Sequence, residues 1–327
     1  MQTETNLFDH PVKVKDLKPG DVVLHFFELR SKEARKTRSG QDYLDLVVGD
    51  ATGSIPGKMW ADTIRKWGSD FELGNVVKIE GRVELYRERN QIVIDKIRRA
   101  EVSELPDASS VIKSSPYDPE TLMDELMGIV RTLSPPGLAE VVRTVLNENR
   151  EALDECPAAK MIHHAYRGGL LEHMVTVTRK AEAILALEPR LNRNVAIAGA
   201  ILHDIGKIRE LTPAGRARTL EGRLVGHVIL GTEIVKNVAS RTGMQDEPWM
   251  WELEHILLSH HGEPEFGAAV RPLTREAILV HFIDNMDSKL KIMEEALESA
   301  DEDGFAPYNK WLEGRAYVGS GSTEQEE

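Results

Sequence analysis

Hydrophobic and polar positions alternate through the first hundred residues of the chain. The segment YLDLVVGD places Leu44 and Leu46 on one side of a strand and Tyr43 on the other. The runs DVVLHFFELR and GNVVKIEGRVELY are rich in β-branched and aromatic residues and are bounded by turn residues. This pattern predicts five short strands between about Lys13 and Val102, with a short helix at Ala61 to Trp67 after the third strand.

The spacing of apolar residues changes to a helical period after a segment rich in proline and serine. That segment, LPDASSVIKSSPY at residues 105–117, is predicted to be a linker. From Asp118 to about Leu297 apolar residues recur at three- and four-residue intervals. The predicted fold class is multidomain α and β. A five-stranded β-barrel at 1–104 and the linker precede an all-α domain at 118–316 and a disordered acidic tail at 317–327.

Composition limits the location and the partners of the chain. Among its 327 residues the single cysteine, Cys156, excludes a disulfide framework and is typical of a reducing compartment. No apolar run is long enough to cross a bilayer and the N-terminus lacks a signal pattern, so we expect a cytoplasmic protein without a membrane partner. The net charge of −13 argues against unspecific adhesion to nucleic acid. Any RNA binding would therefore depend on local patches.

The clearest candidate chemistry lies at the end of a predicted helix in AGAILHDIGK. Asn194 is predicted to cap this helix and Gly206 to end it, so that His203 and Asp204 face a cleft from its last turn. One His-Asp pair alone is more often a core histidine beside a surface acid. Further His and Asp residues favour a metal centre, because imidazole and carboxylate suit divalent ions. The seven candidate ligands are His173, His203, Asp204, His227, His260, His261 and Asp284.

Two ions that share one carboxylate would use the whole set. The predicted first group is His173, His203, Asp204 and Asp284, and the second is Asp204, His227, His260 and His261. The two ions would lie roughly 3.5 to 4 Å apart, as in hydrolytic two-metal sites. An unpaired Asp284 in the apolar run AILVHFIDNM would be costly, and ligation removes that cost. Asp287, one turn later, is predicted to be a helix-surface acid, with a supporting contact behind a metal ligand as the alternative. The residues leave the metal open among Mn, Fe, Co, Ni, Zn and Mg.

Basic and aromatic neighbours extend the predicted site. Lys207, three residues after Asp204, is predicted to act in catalysis by neutralising charge on a phosphate or on the leaving oxygen. The following segment, RELTPAGRARTLEGRLVG, is predicted to be a β-hairpin or flap that offers Arg209 and Arg223 to a substrate channel. A charged, solvated loop is the alternative. His164 is a further channel candidate, with closure of a helix pair as its alternative.

The barrel segment carries separate candidates for binding single strands. Phosphates would bind to Arg35, Lys36, Arg38 and Lys58, and bases would stack on Tyr43 and Tyr86. Two alternatives stay open. The large side chains of Tyr43, Trp60 and Tyr86 can instead plug the ends of a small barrel, and the basic run RSKEARKTR can be a solvated loop. The phrase YLDLVVGDATGSIPGKMW resembles the nucleic-acid-binding OB families. It implies an OB-fold for residues 1–104.

The order of the ligand motifs resembles the two-metal branch of the HD-domain phosphohydrolases. HHAYRGGLLEH, ILHDIGK, SHHG and HFIDNMD occur in this order and are followed by FAPYNKWLEGRAY. Together with the OB-like segment and the linker, they resemble the YhaM family of bacterial 3′-to-5′ exoribonucleases. The resemblance implies a manganese-favouring exonuclease that releases nucleoside 5′-monophosphates from single-stranded RNA, with some activity on single-stranded DNA. The acidic C-terminal extension departs from the family pattern.

Two other functions stay open from the sequence. An HD phosphohydrolase of a small nucleotide or a cyclic dinucleotide would use the barrel for regulation and would lose little activity on deletion of residues 1–105. An RNA-binding or assembly module with a vestigial cleft would bind no metal. A homo-oligomer is a further expectation, because HD enzymes often assemble.

Overall fold

The computed structural model describes most of the chain, with short gaps. The described residues are 13–37, 39–87, 89–100, 104, 111–159, 164–212, 217–297, 300–301 and 303–319. Arg38, one of the predicted phosphate-binding residues, lies outside them. The chain divides into two units, with the boundary between Ser114 and Ser115. Within the described ranges, no helix has both the length and the apolar character that crossing a membrane requires.

The N-terminal unit is a closed barrel of five strands, which confirms the predicted OB architecture. Its elements are β1 (Val22–Lys36), β2 (Asp42–Asp50), β3 (Gly53–Trp60), α1 (Ala61–Trp67), β4 (Val76–Tyr86) and β5 (Arg89–Arg99). The strands follow the order β1-β2-β3-β5-β4 around the barrel. Neighbouring strands are antiparallel, except that β3 and β5 pair in parallel and close the barrel.

Strand alternation places one side of each strand in the barrel core. Leu44 and Leu46 point inward and are buried, as predicted. Met59 is also fully buried, so its neighbour Trp60 points outward and is 42% exposed. Each fully buried aliphatic side chain stabilises the barrel by about 1.5–3 kcal/mol. The core is thus filled mainly by aliphatic side chains with Phe27 and Phe71, and Trp60 does not plug the barrel.

The barrel unit extends beyond its predicted end at residue 104. Residues 105–110 of the predicted linker lie outside the described residues. Val111 is buried in a small apolar cluster with Phe26, Val76 and Ala100. Packing there removes its apolar surface from water, which is why this part of the proline- and serine-rich segment belongs to the barrel unit.

The C-terminal unit is helical, with a small hairpin at its end. Its helices are α2 (Pro119–Val130), α3 (Pro136–Glu148), α4 (Arg150–Glu155), α5 (Gly169–Leu185), α6 (Arg193–Leu202), α7 (Lys207–Glu210), α8 (Leu220–Leu224), α9 (His227–Arg241), α10 (Pro248–Ser259) and α11 (Arg275–Leu297). The antiparallel strands β6 (Phe305–Asn309) and β7 (Gly314–Tyr317) follow. The prediction of an all-α domain was therefore wrong for this hairpin. Tyr317 also belongs to a strand and not to the predicted tail, whose residues 320–327 lie outside the described ones.

Helix α6 is the central helix of this unit. Every residue from Val195 to Leu202 is buried, and α6 packs against α3, α5, α10 and α11. The side chain of Asn192, and not of the predicted Asn194, caps α6 by accepting from the backbone N–H groups of Asn194 and Val195. The Asn194 side chain instead accepts from the backbone N–H of Ser134. Two asparagines with the same capping chemistry lie two positions apart, so only the chain path distinguishes them.

Gly206 has a different role from the predicted helix stop. Helix α6 already ends at Leu202, and Gly206 has a φ of −64°, which any residue adopts. A Cβ atom at this position would lie 2.0 Å from the carbonyl oxygen of His227. Glycine is therefore required because the backbone after Asp204 approaches the first turn of α9 closely.

Candidate metal centre

The helical core brings all seven predicted ligands to one place. His173 lies on α5, His203 and Asp204 follow α6, His227 begins α9, His260 and His261 follow α10, and Asp284 lies on α11. Their potential ligand atoms form the two predicted groups, within each of which the atoms lie no more than 4.8 Å apart. Asp204 belongs to both groups. The arrangement therefore has one carboxylate between two sets of nitrogen and oxygen donors.

The first group surrounds the Nε2 atom of His173. This atom lies 3.2 Å from His203 Nε2, 3.5 Å from Asp204 Oδ2 and 3.2 Å from Asp284 Oδ1. The other ring nitrogen of His203, Nδ1, donates to the carbonyl oxygen of Ala200 at 2.9 Å. A histidine that donates from Nδ1 to a fixed acceptor directs Nε2 towards its ligand.

The second group surrounds the other oxygen of Asp204. Asp204 Oδ1 lies 3.5 Å from His227 Nε2 and 3.6 Å from His260 Nε2. The Nε2 atoms of His227 and His261 are 3.2 Å apart. His227 Nδ1 donates to Glu210 Oε2 at 2.9 Å, and His260 Nδ1 donates to a backbone carbonyl at 2.8 Å. The two oxygens of Asp204 therefore face two different histidine sets.

Unsatisfied buried atoms show that the second group fits a cation. Five buried side-chain nitrogen or oxygen atoms lack a hydrogen-bond partner among the described residues, and three of them are Asp204 Oδ1, His260 Nε2 and His261 Nδ1. Leaving one such atom unpaired costs about 1–3 kcal/mol. Asp204 Oδ1 and His260 Nε2 are also potential metal-ligand atoms of the second group. A divalent first-row ion suits this set of imidazole nitrogens and carboxylate oxygen.

Burial and neighbouring charges set the protonation of the two groups. Burial lowers the pKa of His260, and it lowers the pKa of His261 to about 3, so both imidazoles are neutral. Burial opposes the charge of Asp204, yet the neighbouring Lys207 and His203 hold the pKa of Asp204 well below its usual range. His260 and His261 thus offer neutral nitrogens and Asp204 offers an ionised carboxylate, the forms that ligate metals.

His173 is protonated in the absence of a metal ion. Burial disfavours its charge, but Asp204, Asp284 and Asp287 raise the pKa of His173 well above the ordinary value. A proton on this imidazole therefore balances the carboxylates of the first group. A cation that binds there would displace that proton, which is the usual coupling between metal binding and proton release.

Asp287 is buried, so its prediction as a helix-surface acid was wrong. Its Oδ2 accepts from His173 Nδ1 at 2.6 Å, and its Oδ1 accepts from Lys180 Nζ at 2.6 Å. Burial opposes its ionisation, but hydrogen bonds from His164, His173 and Lys180 lower the pKa of Asp287. A carboxylate on the far nitrogen of a ligand histidine fixes the ring and raises its basicity. The sequence carried this supporting role only as the alternative for Asp287, and it gave no indication of Lys180.

His164 lies inside a buried network and not on an open channel wall. His164 is only 3% exposed, and its Nδ1 lies 2.9 Å from the hydroxyl group of Tyr166. That hydroxyl group donates to Glu172 Oε1 at 3.0 Å. His164 has a φ of 54°, in the left-handed region. A Cβ atom at Gly169 would lie 2.1 Å from the carbonyl oxygen of His164, so glycine lets α5 begin against this loop.

Lys207 is a fixed cation at the edge of the centre. Its Nζ lies 2.5 Å from Asp204 Oδ2, and its side chain is 12% exposed. Burial opposes its charge, but the carboxylates of Asp204 and Asp284 raise the pKa of Lys207. The ammonium group therefore stays protonated next to the shared carboxylate.

The predicted flap is only partly a hairpin. One antiparallel bridge joins Leu211 to Arg218, and the short helix α8 follows. Arg209 forms ion pairs with Glu221 and Glu233, whereas Arg223 is exposed on α8. Residues 213–216 lie outside the described ones. The guanidinium group of Arg209 is thus paired with neighbouring acids. Arg223 is therefore the more accessible of the two arginines that are predicted to line the channel.

The described barrel cations predicted to bind phosphates pair with acids on their own strand or on the neighbouring one. The ion pairs are Arg35 with Glu33 (2.7 Å) and Asp45 (3.2 Å), Lys58 with Asp45 (2.6 Å), and Lys36 with Asp42 (3.7 Å). The Lys36–Asp42 and Arg35–Glu33 pairs are exposed and worth little in stability, whereas Lys58 and Asp45 are partly buried. All of these acids offset the positive field that a phosphate would meet. The acids were visible in the sequence, whereas their cross-strand register was not.

An aromatic pair lies on the barrel surface beside these ion pairs. Tyr43 on β2 is the register partner of Trp60 on β3, and their ring centroids are 5.3 Å apart. Lys58 Nζ lies 5.3 Å from the centre of the Tyr43 ring. Tyr86 is 54% exposed at the end of β4. Trp60 was considered only as barrel filling, although its alternation with the apolar Met59 indicates an outward side chain.

A helical unit with histidines and aspartates grouped about a shared carboxylate, after an OB barrel, defines an HD-domain protein with a nucleic-acid-binding type of barrel. The HD domain model matches residues 170–289, and the OB-fold nucleic acid binding domain model matches residues 28–100.

Curated relatives narrow this class to one family. The chain is 31% identical to the 3′-5′ exoribonuclease YhaM of Halalkalibacterium halodurans over 91% of this chain and 93% of that protein. It is 32% identical to that of Listeria welshimeri over 93% of this chain and 97% of that protein. The chain therefore belongs to the YhaM family. A solved OB-fold domain of replication protein A from Methanococcus maripaludis is 22% identical, covers 28% of this chain and 96% of that one, and has a TM-score of 0.24.

Proposed function

We propose that the chain is a metal-dependent 3′-to-5′ exonuclease that hydrolyses single-stranded RNA to nucleoside 5′-monophosphates. Its membership in a family whose curated members are named 3′-5′ exoribonucleases supports this activity, and the OB barrel supports a single-stranded substrate. The observation that carries the proposal is Asp204, whose two oxygens face two separate donor groups. RNA is the preferred strand, single-stranded DNA is a secondary one, and the cytoplasm is where we place this activity.

We propose two divalent ions, one in each group, with Mn²⁺ as the preferred metal. Bound ions would stabilise charge on a phosphodiester and activate water for its attack. Two groups that share one carboxylate support two ions better than one, because Asp204 Oδ2 lies 3.5 Å from His173 Nε2 and Asp204 Oδ1 lies 3.5 Å from His227 Nε2. All seven predicted ligand residues lie within these two groups.

The side chains of the centre supply orientation, protons and fixed charge. Asp287 and Glu210 accept from the Nδ1 atoms of His173 and His227, so each ring is held with Nε2 towards its group. Lys207 keeps its proton at Nζ and adds positive charge at the centre, where charge on the phosphate and the leaving 3′ oxygen would develop.

The barrel is proposed to hold the strand on which the centre acts. Bases would stack on the Tyr43 and Trp60 pair and on Tyr86, since stacking tolerates every base. Arg35, Lys36, Arg38 and Lys58 remain the proposed phosphate contacts. Carrying the barrel and the centre in one chain raises the local concentration of a 3′ end at the centre.

Incubation with labelled RNA tests this function. Metal-stripped protein resupplied with Mn²⁺ receives single-stranded RNA labelled at its 5′ end, and the products are resolved at single-nucleotide steps. We expect a ladder that shortens from the 3′ end together with released mononucleotide, and no ladder with Asp204→Asn. Intact RNA from protein with verified bound metal would reject the proposal. Turnover of a small nucleotide or a cyclic dinucleotide under those conditions would then support the other HD chemistry.

A further inference from the structure

Helix α11 carries a row of exposed apolar side chains at intervals of four residues. The row consists of Ile278, Phe282, Met286 and Leu290, which are 45%, 64%, 41% and 50% exposed. Phe282 and Met286 are each two residues from Asp284, about 200° of helix rotation, and so lie on the opposite side of α11 from this ligand. The inward side holds Val280 and Ile283, which are buried. A helix that is apolar on both sides indicates an interaction surface on its outer side.

The row has the same pattern in both directions about position 284. Ile278 and Leu290 lie six residues on either side of it, and Phe282 and Met286 lie two. An antiparallel second copy of α11 would place Phe282 against the partner's Met286 and Ile278 against the partner's Leu290. Such self-complementarity is what a two-fold interface requires. Rows of residues four apart are also the ridges that most often pack between helices.

Charges at the two ends of the row select the antiparallel direction. Arg275 lies exposed at the N-terminal end, nine residues before position 284. Glu294 lies at the C-terminal end, ten residues after it; its side chain is 67% exposed and lies 3.3 Å from Lys291 Nζ in a surface ion pair, which is weak enough to rearrange. An antiparallel pair brings Arg275 near the partner's Glu294 at both ends, whereas a parallel pair would bring like charges together.

We propose that two copies of this chain associate through antiparallel pairing of their α11 helices. The surface lies opposite Asp284, so pairing leaves the metal centre accessible. A helix of 23 residues is about 35 Å long, and one such helix from each copy gives an interface at the small end of the specific range. We therefore expect a reversible dimer with a Kd on the order of micromolar.

Sedimentation velocity of the full chain, at concentrations around and above the expected Kd, tests the surface. Wild-type protein shifts from monomer to dimer, and Phe282→Glu weakens association at least about tenfold, because a charge in the middle of the row would be buried. Leu187→Glu is the matched control, since Leu187 is 80% exposed outside the row, and it retains the dimer. Wild-type protein that stays monomeric, or that forms dimers unaffected by Phe282→Glu, overturns the proposal.

Charge reversal tests the pairing direction with variants at exposed positions. Arg275→Glu and Glu294→Arg each place like charges at both ends of the antiparallel pair, so each weakens the dimer. The double variant reverses both charges and restores association to within about twofold of wild type. Failure of the double variant to restore association overturns the antiparallel arrangement. None of these measurements depends on nuclease activity.

Discussion

The metal centre and the barrel surface differ in how completely their polar groups are satisfied. In the centre, ligands from five separate chain segments meet in a buried space, and Asp204 Oδ1 and His260 Nε2 lack partners among the described residues. On the barrel, Arg35, Lys36 and Lys58 each have a carboxylate partner. Buried polar atoms without a partner are costly unless a ligand binds them, whereas the charges of an ion pair already satisfy each other. The centre therefore indicates a ligand more strongly than the barrel cations do.

Replacement of the shared carboxylate is the severest test of the centre. We expect Asp204→Asn to lower metal loading of both groups and to reduce RNA turnover by at least about a thousandfold, because several kcal/mol of metal-derived stabilisation depend on it. Metal content by mass spectrometry and turnover of labelled RNA measure the two effects. Asp124→Asn, at an exposed position of α2, is the control. Normal loading of both ions in Asp204→Asn would separate the two groups and refute the shared-ligand arrangement.

Replacement of Lys207 tests whether the positive charge of a residue that does not bind the metal contributes to catalysis. We expect Lys207→Met to reduce kcat by about a hundredfold, since a preorganised cation is lost, while metal content stays near wild type. Single-turnover kinetics with saturating Mn²⁺ measure this effect. Lys207→Arg keeps the positive charge and recovers part of the rate. Equal loss of metal and of turnover would assign Lys207 to maintaining Asp204 instead.

Asp287 tests the support behind the first group. We expect Asp287→Ala to weaken metal binding by about 10- to 100-fold, because His173 loses the acceptor that orients its ring. Asp287→Asn keeps an acceptor oxygen for His173 Nδ1 and falls between Ala and wild type. Isothermal titration with Mn²⁺ measures the affinities. Equal affinities for all three proteins would show that the buried contact does not influence the metal ion.

The barrel surface is expected to give the smallest effects, and to give them through stacking more than through charge. Trp60→Ala or Tyr43→Ala should weaken binding of single-stranded RNA about tenfold, as loss of one stacked base does. Arg35→Ala combined with Lys36→Ala should change the salt slope by less than about two, since both cations already face acids. Fluorescence anisotropy over a salt series measures both, with Trp251→Ala, exposed on α10, as control. A larger effect from the cation pair would reverse the contrast between charge and stacking.

The ligand positions could be predicted because few other roles suit their residues. Asp284 lies in an apolar run, and histidines at 173, 203, 227 and 260 occupy apolar helices or their ends, where an unpaired polar group is disfavoured. The structure brings these residues together; it buries His173, His203 and His260 and leaves His227 and Asp284 partly buried. Asp287 was misjudged, because a position three residues after Asp284 can lie at the core edge or on the surface, depending on the rotation of α11.

The sequence by itself determined the barrel, the helical unit and the identities of the seven candidate ligands, because period, apolar spacing and residue chemistry are local properties. Tertiary structure alone decided that Lys180 and His164 meet Asp287, that Arg35 and Lys58 share Asp45, and that Gly206 serves a close backbone approach. Such contacts depend on the rotation of helices and the register of strands. Those are set by the packing of the whole core, which no local pattern specifies.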